Sequence, residues 1–335
     1  MEPLNLATLP KYLSDEAEAW ALLERLRWNG TPVCPHCGTA DEAHYFLNAR
    51  SGSRTTKKGT ITYRRIWKCR DRDCRKQFSV LVGTIFESSH VPVSKWLLAL
   101  YLTAGAKNAI SALELQRHLG LGSYQTAWFM LHRLREAMTR EPLAGLLSGT
   151  IVADETFVGG KPKNRHQQGR PRPKDGRGIS GAATEKTPVV ALLNKATGEV
   201  RAKVVTDVKG PTLRAAITEH VDMPGSHLMT DAAMAYRQIG RDMAGHSWVD
   251  HGSHEYVRYE GGEVITSNMA ESFFAQFKRS LDGTYHNVSK HHLGRYVTEF
   301  EFRWNTRKVS DHQRVMALVA GTTGRRLTYR PLNGR

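Results

Sequence analysis

The chain has 335 residues, 40% hydrophobic and 24% charged, which is too long for one small core and ordinary for a globular protein of two or three domains. Lys and Arg outnumber Asp and Glu by 48 to 32, a net charge of +16 that favours a polyanionic partner, nucleic acid first. No apolar run of about 18 residues is present to span a membrane, and the acidic N-terminus lacks the apolar stretch of a secretion signal, so a cytoplasmic location is expected.

Residues 1–30 are expected to form a helical lead, and residues 31–84 a zinc ribbon. All four cysteines fall in this stretch: Cys34 and Cys37 in CPHCG, Cys69 and Cys74 in CRDRDC. In an intracellular chain two such pairs predict a metal site rather than disulfides. Four thiolates complete the tetrahedron that Zn²⁺ prefers and leave no open position, so the ion is structural. His36 and His44 lie nearby, but a four-cysteine set needs neither. The second knuckle has four intervening residues in place of two. Between the pairs, SGSRTTKKGTITYRRIWKC is expected to form a basic hairpin; Lys57 to Lys76 holds nine basic residues against two acids, so its surface is cationic.

Residues 85–145 are predicted to be helical. One helix begins near Pro92 and Ser94. A second opens at Ser111, with Glu114 three residues on as a capping box, and ends at Gly120 and Gly122. In the third, Ser123 is the expected cap and Ala127, Met130, Leu131, Leu134 and Met138 recur at helical spacing. Helix, glycine turn, helix is a helix-turn-helix pattern; its second helix would expose Tyr124, Gln125 and Arg133 to DNA. A plain helical hairpin is the alternative.

Residues 146–310 change in texture. GTIVADET is a β-branched run ending at Asp154, PVVALLN and VRAKVVT are strands joined at Gly198, and a helix is expected over 212–220. SHLMTD is a strand ending at Asp231, followed by a helix from near Ala233. The pattern brings two acids to strand ends of a mixed α/β sheet. In SNMAESFFAQFKRSL, Ala270, Phe273, Phe274, Phe277 and Leu281 form one stripe, which leaves Glu271 at its margin, with Lys278 about 20° from it around the axis. Asn268 lies one turn earlier. Three clustered carboxylates can hold a pair of Mg²⁺ (or Mn²⁺) ions for phosphodiester chemistry. The pattern alone leaves Glu155 and Asp207 open as rival acids. Residues 160–187 are expected to be a basic loop and residues 311–335 a basic tail.

Taken in order, the blocks CPHCG, WKCRDRDCRKQFSV, GTIFESSHVPVSKW, VADETFVGGK, MTDAAMAY, DHGSHEYV, ITSNMAESFFAQFKR and GTYHNVSKHHLGRYVTEFEFRWNTRK resemble the zinc-ribbon-bearing, ISXO-type insertion-sequence transposases. The resemblance covers roughly residues 15–310. It implies a DDE catalytic domain of RNase H-like fold, with Asp154, Asp231 and Glu271 as the catalytic acids and Glu155 as a neighbour within the first motif. It also implies a protein that binds the inverted repeats of an element, cuts the DNA and joins the freed 3′-hydroxyls to target DNA, as a dimer or larger assembly on double-stranded DNA. Asn268, Lys278, Arg279 and His286 are second-tier DNA contacts on this reading. Two rival classes stand beside it: a catalytically inactive DNA-binding regulator of the same descent, and an RNase H-like nuclease indifferent to element ends.

Overall fold

The computed structural model describes residues 3–55, 57, 61–139, 145–159 and 186–332. The chain divides into two compact units, Met1–Thr139 with Lys308–Arg335, and Arg140–Arg307. The proposed basic loop, 160–187, lies almost entirely outside the described residues.

The first unit begins with helices α1 (Pro10–Leu13) and α2 (Glu16–Trp28). Asp15 caps α2 by accepting from the Ala17 N–H, and Asn29 ends it in the left-handed conformation at φ 48°. Five short strands follow: β1 (Tyr45–Phe46), β2 (Gly52–Thr55), β3 (Ile61–Arg64), β4 (Trp67–Lys68) and β5 (Gln77–Phe78). β1, β4 and β5 make an antiparallel sheet, and β2 pairs with β3 as the expected hairpin. The aromatic side of this sheet packs on α2: Trp28 meets Trp67 and Phe78 edge-on, and the buried Glu24 accepts from Trp67 Nε1 at 2.8 Å and Arg65 Nε at 3.1 Å.

Helices α3 (Val93–Gly105), α4 (Ala112–Leu119) and α5 (Tyr124–Ala137) complete the N-terminal stretch. The exposed N–H groups of α3 are capped from a distance, by the Glu16 carboxylate of α2 accepting from Val93 and Ser94. Only half of the expected capping box forms on α4. Ser111 accepts from Glu114 N–H, whereas the Glu114 carboxylate faces His118 at 3.5 Å. Gly120 ends α4 at φ 56°, a conformation glycine takes without steric penalty. The predicted apolar face of α5 is buried throughout, although Ser123 makes no side-chain capping bond.

In the second unit, β6 (Leu147–Val158) is the central strand of a five-stranded sheet with β7 (Thr187–Asn194), β8 (Val200–Val204), β9 (Val221–Asp231) and β10 (Gly245–Val249). The order is β10-β9-β6-β7-β8. β6, β7 and β8 are antiparallel, and β9 and β10 extend the sheet in parallel. β7 is buried at every position, as its unbroken run TPVVALLN requires of a strand covered on both faces. Helices α6 (Gly210–His220) and α7 (Met234–Gly240) pack Leu213, Ile217, Tyr236 and Ile239 against Ile151, Ala153, Val190 and Leu192. After β10 a small hairpin of β11 (Arg258–Glu260) and β12 (Glu263–Ile265) leads into α8 (Asn268–Ser280), a π-helical turn over Leu281–Tyr285, and α9 (Leu293–Asn305). α8 packs on β6 and β7, and α9 on β8. Glu301 and Asn305 of α9 take up the outward backbone groups of β8, accepting from Ala202 N–H and Val200 N–H, which covers that free sheet edge.

The chain then returns to the first unit as α10 (Asp311–Ala320) and α11 (Tyr329–Leu332). This corrects the sequence expectation of a tail over 311–335. α10 carries a full capping box, Ser310 with Gln313, buries Val315, Leu318 and Val319, and packs against α3. The basic residues of this stretch concealed a helix with one apolar face.

Candidate functional sites: a four-cysteine centre and a carboxylate cluster

The four cysteines converge. Their sulfurs all lie within 4.8 Å of one another, with Cys34–Cys74 at 3.8 Å and Cys37–Cys69 at 3.6 Å. A Zn–S bond of about 2.3 Å gives tetrahedral sulfur–sulfur edges of about 3.8 Å, so the thiols fit a Zn²⁺ ion. Each knuckle is a tight turn. In the first, Gly38 N–H donates to the Cys34 carbonyl and Cys34 N–H to that of Thr39; Gly38 takes φ 78°. In the second, Asp71 accepts from Asp73 and Cys74 N–H, and Arg75 fills the left-handed position at φ 46°. Asp71 thus absorbs the two extra residues. Both nearby histidines are engaged elsewhere: His36 with the Gln77 carbonyl, His44 with the Thr39 carbonyl and Arg70 N–H. Burial pushes the Cys69 thiol up to about 12 and Cys34 upward too, whereas Thr39 draws Cys37 down to about 6. Four coexisting thiolates therefore require a cation among them.

The carboxylates meet at the sheet's parallel strand ends. The β6–β9 register pairs Val152 with Met229; two residues further on, it sets Asp154 level with Asp231. Both lie on the same sheet face as Val152 and Met229 by strand alternation. Glu271 comes from the first turn of α8, which packs on β6. Asp154 is half-buried, and its carboxyl is pushed up to about 7, first by burial and then by the charges of Glu155, Asp231 and Glu271; a bond from the Glu155 N–H at 2.7 Å opposes the rise. Asp231 accepts from Ala233 N–H at 3.1 Å.

Glu155, the rival inside the same motif, points the other way. It pairs across the ladder with Val190, which belongs to the core under α6 and α7. There it accepts a 2.6 Å bond from the hydroxyl of the fully buried Tyr236. Burial raises the Glu155 carboxyl and the Tyr236 bond lowers it. Asp207, the other rival, accepts from Lys209 N–H and the Thr212 hydroxyl at the entrance to α6, bonds that hold its carboxyl low.

Asn268 is exposed at the start of α8, and Lys278 and Arg279 are exposed in its last turn. Seven residues separate Glu271 from Lys278, about 10 Å of helix, so Lys278 stands beyond the acids. His286 is exposed after the π-helical turn. In the first unit Tyr124 is 51% exposed and Gln125 is exposed. Arg133, expected on the same surface, is only 6% exposed, with its guanidinium 4.6 Å from the Phe129 ring centroid. It is a packing residue of α5. The apolar stripe of that helix is broad enough to enclose position 133, which the heptad-like spacing did not reveal.

One neighbour of the acids went unnoticed in the sequence. His251, two residues past the end of β10, faces Glu271 Oε1 through Nδ1 at 3.5 Å and Ser267 Oγ through Nε2 at 3.0 Å. Its signal was available in DHGSHEYV: a histidine just after the strand beside β9 arrives at the same sheet end.

A four-cysteine ribbon and an α/β unit with three acids at one sheet end are what a transposase of this kind is expected to carry. Residues 146–305 match the ISXO2-like transposase domain, and residues 14–77 match the transposase zinc-ribbon domain. The chain belongs to the ISXO2-like, zinc-ribbon-bearing transposases of insertion sequences. It is also similar to an uncharacterized protein in transposable element ISH50 of Halobacterium salinarum, 29% identical over 299 residues that cover 88% of this chain and 92% of that protein. The ribbon match includes α2, in agreement with the packing of Trp28 and Glu24 on the ribbon sheet. No helix among the described residues is long and apolar enough to cross a membrane.

Proposed function

We propose that this chain is an active DDE transposase whose unit 140–307 is RNase H-like and whose catalytic acids are Asp154, Asp231 and Glu271. The observation that carries the reading is the electrostatic coupling of Asp154 to both other acids, although the three come from a central strand, a neighbouring strand and a helix. The sheet order, three antiparallel strands extended by two parallel ones, supports the RNase H-like assignment. Carboxylates that raise one another's affinity for protons are suited to hold cations, and Asp and Glu oxygens suit Mg²⁺ or Mn²⁺. Two such ions, when bound, supply the charge that activates an attacking oxygen and stabilises the leaving one.

The protein's own work is positioning. Asp154 and Asp231 are held level by the β6–β9 register, and Glu271 closes the site from α8, oriented by His251. Both proposed reactions, cutting the element end and joining its 3′-hydroxyl to target DNA, are phosphoryl displacements, so one site serves both. α4 and α5 are the proposed helix-turn-helix reader of the terminal inverted repeats, through Tyr124 and Gln125 but not Arg133. Two ends must be held together, so a dimer or larger assembly on double-stranded DNA is proposed.

The test uses purified protein, labelled duplexes carrying candidate element ends, and Mg²⁺. Asp154→Asn, Asp231→Asn and Glu271→Gln should each bind the ends and lose cutting by at least about a hundredfold. A variant that cuts normally removes that acid from the site, and a wild type that binds ends without ever cutting makes the chain a regulator instead.

A further inference from the structure

His286 occupies a backbone conformation that its surroundings impose on it. Its φ is 56° and its ψ −43°, and the Asn287 N–H donates to the Tyr285 carbonyl at 2.6 Å across it. This is a three-residue turn of the rare, strained hand. Glycine would adopt it freely, whereas a Cβ is disfavoured there.

The flanking structure is what holds it. The π-helical turn Leu281–Tyr285 directly precedes His286, and such turns are often found at functional sites. The Tyr285 hydroxyl donates to Glu299 Oε2 at 2.9 Å, and the Tyr285 ring meets Tyr296 edge-on at 4.7 Å. Glu299 is buried in α9 and gripped by the buried Arg303, through Nη2 at 2.6 Å and Nε at 3.2 Å. A buried ion pair is expensive to desolvate, and here it anchors a turn rather than the acid cluster.

The ring of His286 gains nothing from within the protein. It is exposed and has no hydrogen-bond partner among the described residues. Lys278, Arg279, Lys290 and His291 are exposed in the same stretch, where Asp282 is the one acid between residues 278 and 291. Glu271 lies nine residues before the end of α8, and His286 follows that end by six residues, past the π-helical turn.

From this the geometry points to His286, flanked in sequence by Lys278 and Lys290, as a contact for the DNA phosphodiester backbone. The inference rests on the transposase reading of the acid site. A turn needed only to reverse the chain would be formed with less strain by glycine. The histidine here trades local stability for a ring N–H presented to solvent on a rigid support, and a phosphate oxygen is the acceptor suited to it.

The experiment compares wild type with His286→Gly in the full chain, by duplex binding without Mg²⁺ and by thermal melting. His286→Gly should melt at or above the wild-type temperature and bind about tenfold more weakly. In a scan of single methylphosphonates along the duplex flanking the cut, one position should weaken the wild type and leave His286→Gly unaffected. Lys290→Ala should lower the salt slope of binding by about one. Equal affinity of His286→Gly and wild type overturns the inference and leaves the acid site untouched. A lower melting temperature for His286→Gly also overturns it, because the ring would then be a structural prop. A wild type that binds no duplex overturns the inference and the transposase reading together.

Discussion

The two metal-suited sites of this protein are built on opposite principles. The ribbon brings four neutral-capable thiols to ligand distance through local turns, with Gly38 and Arg75 in left-handed positions and Asp71 bridging the longer knuckle. The α/β unit brings three acids to one sheet end from elements far apart in sequence. Among the described residues only the cysteines form a cluster closed to ligand distance. The acids feel one another's charge without closing up. A structural site is complete within its own fold, whereas acids proposed for phosphoryl transfer would have to stay open to substrate and be held under electrostatic tension until cations arrive.

The largest way to break this comparison is to remove zinc. Such sites contribute on the order of 10 kcal/mol, and the ribbon's own core is small, resting on Trp28, Trp67, Phe46 and Phe78. A strong chelator, or Cys69→Ser, should abolish the near-ultraviolet circular dichroism of these rings and release one Zn²⁺ per chain. Retention of that signal with no metal bound would show that the aromatic packing alone folds the ribbon.

The acid site should respond in the other direction. The folded-state value of Asp154, about 7, lies above its usual 3.8. Below pH 4 the group is protonated folded or unfolded, and its effect on stability is nil. As pH rises through 4 to 7 the unfolded chain releases this proton and the folded chain keeps it, so stability falls, by on the order of 2–4 kcal/mol once both are ionised. Asp154→Asn should therefore stabilise the Mg²⁺-free protein at pH 8 and make no difference at pH 4. Added Mg²⁺ should raise the melting temperature of wild type and not of the variant. A variant whose stability difference is flat with pH would mean that Asp154 carries no such strain.

How much of this was legible in the sequence follows from the same contrast. The cysteine ligands were readable because their spacing is local and thiolates have few other reasons to pair. The strands ending at Asp154 and Asp231 and the helix bearing Glu271 were readable from period and punctuation, but their convergence depends on a parallel register between residues some 77 positions apart, which no local pattern encodes. For that reason Glu155 and Asp207 stayed open, and the resemblance to a family chose among them. Asp207 makes two local bonds, to Lys209 and Thr212, and Glu155 occupies the face of β6 opposite Asp154. Arg133 and α10 were misjudged for one reason: basic residues were read as surface, yet long cationic stems pack well beside apolar stripes. His251 was missed because a histidine after a strand acquires meaning only once that strand's neighbour is known.

The smallest effect expected is the sharpest test of the two faces of β6. Tyr236→Phe removes one hydroxyl and nothing else, deep under α7, where it donates to Glu155 at 2.6 Å. The bond lowers the Glu155 carboxyl against the pull of burial, so its loss should raise that group further and cost about 1–3 kcal/mol as the carboxyl loses its donor. If Glu155 merely ties β6 to the helix that follows Asp231, the variant melts several degrees lower and still cuts DNA within a few-fold of wild type at saturating Mg²⁺. If Glu155 shares the cations with Asp154, cutting falls toward the level of Asp154→Asn and more Mg²⁺ is needed to reach half-maximal rate. The opposite orientation of neighbouring residues on one strand favours the first result, because a side chain bonded beneath the sheet cannot also serve the surface above it.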